Sequence, residues 1–393
     1  MSPSVSDINS HLVSKTKPVS AENVPNQQYT YSALPNLKRA IEKAGADFRS
    51  DVSTVPTENM MQAILEASVG DDIYDEFGDV SVNSLQNKLI ELTGKEAALW
   101  ALSGTMGNQI CFRTHLVQPP HTVLLDHRAH VYCWESGALP ALSQASVAPV
   151  IPSNGVHLTL SDVKKNMVSG GNLHFPPTRA VSLENSLSGT ILPLKDAKEI
   201  SAFVRSFPVP EGQMPVAMHL DGARLFDGIT GEGVDAKEYC ACFDSISICL
   251  AKGLGAPMGS IILGSRAFIE RAKWFRKMFG GGTRQNPNIS LSIQPGMMAA
   301  AAQVALTTSI PQLPRVHALT KSTASKLSAF GYKFQLPVQT NMIIVDLEAS
   351  NNIPPAAFKG GKALESEEIK GGYFHTKEWG TGSITKKGVN RRI

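Results

Sequence analysis

Two ionisable side chains stand out because each closes a short apolar run and each is followed at once by glycine. The first is Asp221 in PVAMHLDGARLFDG, the second Lys252 in DSISICLAKGLGAPMGS. An apolar run stopped by a charge and a glycine reads as a buried strand that ends at a rim. In open α/β sheets ligands bind outside the carboxyl ends of parallel strands, so both side chains are expected over one crevice. A lysine seated there among Ala251, Gly253, Leu254 and Gly255 has little water around it, which favours the neutral amine that attacks carbonyls. A lysine paired with a structural carboxylate leaves the same trace in sequence, so the assignment depends on what else reaches the rim.

Other stretches supply that context. KEAALWALSGTMGNQICFRTHL reads as a strand over 97–102, a turn at Ser103, Gly104 and Thr105, and a helix over 106–116. Small residues at such a junction expose backbone N–H groups at the positive end of the helix dipole, which is a seat for phosphate. Thr105 adds a hydroxyl. An ordinary strand-to-helix turn looks similar, and the absence of GxxxxGK[ST] excludes a Walker loop. His130 falls just past the strand HTVLLD, Glu184 and Asn185 close the strand in AVSLENSLSG, and His174 lies just before that strand. Arg224 follows Asp221 at one helical turn and suits a phosphate or a carboxylate; Arg284, after a run of glycines, is placed to reach an anion. Together these are the needs of pyridoxal 5'-phosphate. Lys252 captures its aldehyde, the turn at 103–105 anchors its phosphate, Asp221 keeps its pyridine nitrogen protonated, and the flat ring of His130 lies on its face.

The elements that must position these groups alternate strand and helix, which predicts an α/β fold with a mostly parallel sheet. Residues 1–46 read as an arm, mobile over its first thirty residues and with one short helix in SALPNLKRAIEKAG; 47–305 as a large cofactor-binding domain; and 306–393 as a small C-terminal α+β domain opened by the strand in TNMIIVDLEA. A helix is predicted to begin near Thr57 with Met61, Ile64 and Leu65 inward. The next carries Val82, Leu85, Leu89 and Leu92 as one stripe and is stopped by Gly94. In SRAFIERAKWFRKMF, Phe268, Ala272, Phe275 and Phe279 share a side, and the Arg/Lys side is expected to be solvated.

Composition narrows the class. The 393 residues are 42% hydrophobic and 18% charged, enough for a sizeable core, and a net charge of +3 without clustered Lys and Arg is no footprint for nucleic acid. Five cysteines without CxxC spacing suit a reduced cytosol better than a disulfide framework or a zinc site, and no metal is expected. No apolar run is long enough for a membrane span. The N-terminus lacks an apolar h-region and has no arginine before Arg39, so secretory and mitochondrial signals are not expected and a cytoplasmic location is.

FRSDVSTVPT, VGDDIYDEFGDVSVNSLQ, GKEAALWALSGTMGNQ, HVYCWESGAL, HLDGARLF, SICLAKGLGAPMGS and RKMFGGGTRQ occur in order between Asp47 and about Glu348. They resemble the successive signatures of the low-specificity threonine aldolases. The resemblance implies the fold type I of pyridoxal-phosphate enzymes, a large domain with a mostly parallel seven-stranded sheet and a smaller α+β domain. It implies Lys252 as the Schiff-base lysine, Asp221 as the pyridine partner, His130 as the ring-stacking residue, and Gly104 with Thr105 at the phosphate. Ser50, Arg224 and His174 match residues that the family uses around the substrate, and Arg284 lies in its glycine-rich basic loop. The implied reaction cleaves threonine, allo-threonine or a related β-hydroxy-α-amino acid to glycine and an aldehyde, with His130 or His174 as the base, in a homotetramer of dimers with shared active sites. Alanine racemization within the same family is the alternative among enzymes.

Two segments depart from that family's pattern. Ser186, Leu187, Ser188 and Gly189 follow Asn185 where many members have Thr-His-Asn, a form closer to the fungal branch. Past Ala357 the chain reads FKGGKALESEEIKGGYFHTKEWGTGSITKKGVNRRI, with no counterpart of the family's GRLVFHYQ-like segment and its carboxylate-binding arginine. An incomplete small domain of this kind would suit a cofactor-binding partner subunit of little turnover.

Overall fold

The computed structural model describes residues 35–45, 47–68, 70–72, 78–282, 294–346, 349–350 and 373–375. By its internal contacts the chain divides between Arg39 and Ala40, inside the first helix, α1 (Pro35–Gly45), and all that follows concerns residues from 40 onward. In order come α2 (Glu58–Leu65), α3 (Val80–Thr93), β1 (Ala97–Ala101), α4 (Gly104–His115), β2 (Thr122–Asp126), α5 (His130–Cys133), α6 (Ala138–Ser143), β3 (Ser146–Val150), α7 (Leu160–Asn166), β4 (Thr178–Glu184) and α8 (Leu194–Ser206). Then follow β5 (Ala217–Asp221), α9 (Leu225–Glu232), α10 (Ala236–Cys240), β6 (Ser245–Cys249), β7 (Ser260–Gly264), α11 (Arg266–Met278), α12 (Pro295–Ser309), α13 (Leu313–Ala329), β8 (Lys333–Phe334), β9 (Met342–Asp346) and β10 (Tyr373–His375).

Seven strands form one sheet in the order β1-β7-β6-β5-β4-β2-β3. Strands β2 to β6 run parallel, and β7 lies antiparallel between β6 and β1. Side chains alternate between two apolar layers. Trp100, Leu124, Met218, Leu220, Ile261 and Leu263 join the larger core, while Leu99, Val123, Leu125 and Ile262 enter the cores of the opposite face. A strand apolar on both faces needs cover on both, and each buried Leu or Ile is worth roughly 1.5–3 kcal/mol against exposure, so helices pack on either side. The polar residues that survive inside such a sheet therefore have partners or a task. A second, three-stranded sheet, β10-β9-β8, takes up the strand in TNMIIVDLEA; β10 falls in the C-terminal stretch that departs from the family pattern.

Helix starts follow the chemistry of their caps. Thr57, Asp79, Ser103 and Ser265 each accept a backbone N–H of the first turn they precede. Two expectations need correction. In α2 the buried side chain is Met60, and Leu65 is 63% exposed, because this helix turns its apolar stripe one position earlier against α12. In α11 the basic side is not wholly solvated: Arg276 is buried and ion-paired to Asp72 at 2.8 Å.

Candidate active site

The register brings three strand ends into line. Glu184 at the end of β4 pairs with Asp221 at the end of β5, and Asp221 pairs with Ser247 of β6. Beyond β6 the chain makes a closed excursion. Leu250 N–H donates to the Gly259 carbonyl, Gly255 N–H returns to the Lys252 carbonyl at 2.8 Å, and Ala256 N–H donates to the Leu250 carbonyl. Gly255 has φ +82, and Gly259 has φ +107 with its α-carbon so near Trp100 that a Cβ would stand 2.0 Å from the ring. Both positions need glycine, one for the turn and one for the close approach. The excursion presents Lys252 near enough to Asp51, His130 and Glu184 for its charge to act on all three.

Asp221 is 3% exposed, and each of its oxygens accepts one N–H: Oδ1 from Ala223 at 3.0 Å and Oδ2 from the Asn108 side-chain amide at 2.8 Å. A carboxylate has about four acceptor positions, so room remains for a further donor. Glu184 accepts the His130 backbone N–H at 3.0 Å. Burial, with the neighbouring Asp221 charge, pushes its carboxyl up to about 8. His130, about a third exposed, meets Glu135 at 2.9 Å through Nδ1. That hydrogen bond raises the imidazole pKa above its ordinary value, with burial acting against it. A nitrogen of His130 and an oxygen from each of Glu135 and Asp221 lie within 4.8 Å of one another, which is a composition met at metal sites; here the Asn108 amide nitrogen occupies both carboxylates.

At the head of α4, Ser103 Oγ accepts the Met106 N–H and the Ser103 carbonyl accepts the Gly107 N–H, so Gly104 and Thr105 present the helix's first amides outward. Gly104 comes close to Cys249 at the end of β6: a Cβ there would lie 3.7 Å from the Cys249 side chain. An amine on one strand tip, a carboxylate on the next and a helix N-terminus alongside form the donor set that an aromatic aldehyde bearing a phosphate and a ring nitrogen requires.

The remaining predicted residues divide. Arg224 does not stand free: its Nε and an Nη each donate to Asp51 at 2.6 Å, and Asn341 donates to the same carboxylate at 3.2 Å. Burial opposes ionisation of Asp51, yet Arg224 outweighs it and holds this carboxyl below its ordinary range. Ser50 precedes this pair and accepts the Val52 N–H. A Cβ on Gly253, next to Lys252, would sit 3.5 Å from both Asn341 and Asp227, so this cluster adjoins the lysine. Asn185 is fully buried against Gly228 of α9, turned into the body of the protein. His174 is not brought to the site within the chain. It is exposed before the start of β4, a seven-residue strand that carries Glu184 at its far end, roughly 20 Å away at about 3.3 Å per residue. Arg284 lies outside the described residues.

Glu135, Asn108, Gln109 and Asp51 also belong to this cluster, though the sequence alone does not single them out. Glu135 and Asp51 stand inside quoted motifs beside His130 and Ser50, and the signal was an acid within a short segment that must be buried. Among the described residues no helix is long and apolar enough to cross a membrane.

Residues 47–350 match the family described as Beta-eliminating lyase. The chain is 43% identical over 297 residues, 76% of its length and 74% of the relative's, to a probable low-specificity L-threonine aldolase of Schizosaccharomyces pombe. It is 34% identical over 315 residues, 78% of this chain and 76% of the other, to the alanine racemase TOXG of Cochliobolus carbonum. The Leishmania major threonine aldolase structure superposes with a TM-score of 0.64 at 17% identity, covering 76% of this chain and 84% of that one, which is a likeness of fold.

Proposed function

From the premise that this chain belongs to the beta-eliminating lyase family, we propose that it is a pyridoxal-phosphate-dependent lyase that cleaves L-threonine, allo-threonine and related β-hydroxy-α-amino acids to glycine and an aldehyde. The observation that carries the reading is the convergence of Lys252, Asp221 and His130 on one rim, beside the amides of Gly104 and Thr105.

When bound, pyridoxal phosphate supplies an electron sink for the bond broken at the substrate's α-carbon. Lys252 holds the cofactor through its amine. Asp221, buried and bonded to a backbone N–H and an amide, would accept the ring N–H. Gly104, Thr105 and the Ser103 hydroxyl hold the phosphate; Arg284 is proposed to add charge there. His130 covers the ring and, with Nδ1 turned to Glu135, takes the β-hydroxyl proton at Nε2. Ser50 orients the substrate carboxylate together with Arg224, whose direction is set by Asp51. Glu184 shapes the floor at the end of β4, and Asn185 backs it from within the core. His174 takes no proposed part within its own chain.

The same proposal includes a homotetramer built of dimers with shared active sites, a cytosolic location suited to five cysteines with no disulfide among them, a role in threonine breakdown and glycine formation, and the division of domains near residue 305. An aldehyde-coupled assay on purified protein tests it. Acetaldehyde release from L-threonine is expected, whereas alanine racemization without aldehyde release would favour the reaction named in the Cochliobolus carbonum relative.

A further inference from the structure

Beneath the rim runs a chain of buried polar side chains whose donor directions are fixed by chemistry. Glu135, with its side chain fully buried, accepts from His130 Nδ1 at 2.9 Å and Asn108 Nδ2 at 3.0 Å on one oxygen, and from Gln109 Nε2 at 2.6 Å on the other. Asn108 Nδ2 also donates to Asp221, so its two hydrogens go one to each carboxylate, and its oxygen must be an acceptor. His219 Nε2 meets that oxygen at 3.2 Å and therefore carries the proton. Its Nδ1, 2.8 Å from Ser245 Oγ, is then the acceptor, and Ser245 in turn accepts from His115 Nε2 at 2.8 Å. Burial keeps both deep histidines neutral, His219 pushed down to about 3 and His115 to about 4, which this one-way order requires.

The order ends at His130 with a defined result. Both oxygens of Glu135 already take amide N–H groups, and as a carboxylate it offers His130 only lone pairs, so Nδ1 of His130 bears hydrogen and the neutral ring keeps its lone pair on Nε2. We propose that Glu135 is a positioning residue for His130, braced by Asn108 and Gln109, which fixes the Nδ1–H tautomer and so reserves Nε2 for the substrate proton. This rests on the reaction proposed above only in the identity of that proton. The groups that face His130 are Glu135, Asp221, Lys252 and Glu184. Of these the Glu135 hydrogen bond does most to raise its affinity for a proton, Asp221 adds to it, and burial and Lys252 oppose it.

The test starts without cofactor or turnover. Apo-protein labelled with ¹⁵N-histidine is titrated, with His130→Asn identifying the signal. The parent is expected to show His130 as the Nδ1–H tautomer with a midpoint above an ordinary histidine, and Glu135→Gln to lower the midpoint and mix the tautomers. In the loaded enzyme Glu135→Gln is expected to lower kcat about ten- to hundredfold, as outer partners of functional histidines do, with KM nearly unchanged and the acid limb of the rate profile moved to lower pH. Glu135→Asp should recover part of kcat. A folded Glu135→Gln protein whose His130 midpoint and tautomer match the parent would overturn the assignment. A parent that releases no aldehyde would count against the reaction alone, since the histidine signal still decides the role of Glu135.

Discussion

Two buried acids share the rim and are treated in opposite ways. Asp51 meets a guanidinium in two hydrogen bonds of 2.6 Å, so its charge is cancelled inside the chain by Arg224. Asp221 is as buried, yet its direct partners are a backbone N–H and an amide, which stabilise an oxygen without neutralising it. A closed pair of this kind holds loops together, here the segment after α1 and the turn into α9. An acid held only by neutral donors leaves acceptor positions open to a donor that arrives from outside. The difference separates an acid already matched by a cation of the chain from one still open to a further donor, among residues equally hidden from water.

Four substitutions probe that division, taken from the greatest effect downward. Lys252→Ala removes the amine beside the open acid and is expected to cut aldehyde release on the order of 10⁴-fold while the protein stays folded, as read by an enzyme-coupled assay and circular dichroism. Asp221→Asn keeps the shape of the open cluster but not its charge, and a fall on the order of 10³ in kcat is expected with the fold retained. A variant as fast as the parent would remove the distinction between the two acids. Asp51→Asn should act the other way round, leaving Arg224 buried and unpaired and costing about 3 kcal/mol of stability by denaturant titration.

The smallest effect concerns Glu184, which borders the open cluster. Its folded carboxyl is raised from 4.5 to about 8, so the folded chain binds this proton more tightly than the unfolded chain. Its contribution to stability is therefore complete below about 4.5 and lost as pH rises through about 8. Thermal melts of apo-protein are expected to show a smaller loss over that window for Glu184→Gln than for the parent. Parallel curves would mean that Glu184 is not withdrawn from water as described.

Much of this was legible in sequence because its causes are local. Asp221 and Lys252 end apolar runs, the small residues at 103–105 mark a strand-to-helix junction, and glycines mark the turns, so the strand ends and the rim could be read from residues a few positions apart. The inward side of α2 was misjudged by one position because packing on α12, distant in sequence, decides it. The pairing of Arg224 with Asp51 spans 173 positions and leaves no local trace, as does the bridge of Asn108 to Asp221 over 113. His174 shows the converse limit. Family resemblance pointed to it as a substrate residue, but the length of β4 separates it from the Glu184 end of that strand within its own chain.

The proposed site requires the amine of Lys252 and the carboxylate of Asp221 to serve one cofactor. Purified protein should be loaded with pyridoxal phosphate, reduced with borohydride to fix the bond, and digested, and the modified lysine located by mass spectrometry. The label is expected on Lys252, with cofactor absorbance altered in Asp221→Asn. A label confined to any other lysine, or none at saturating cofactor, would contradict it.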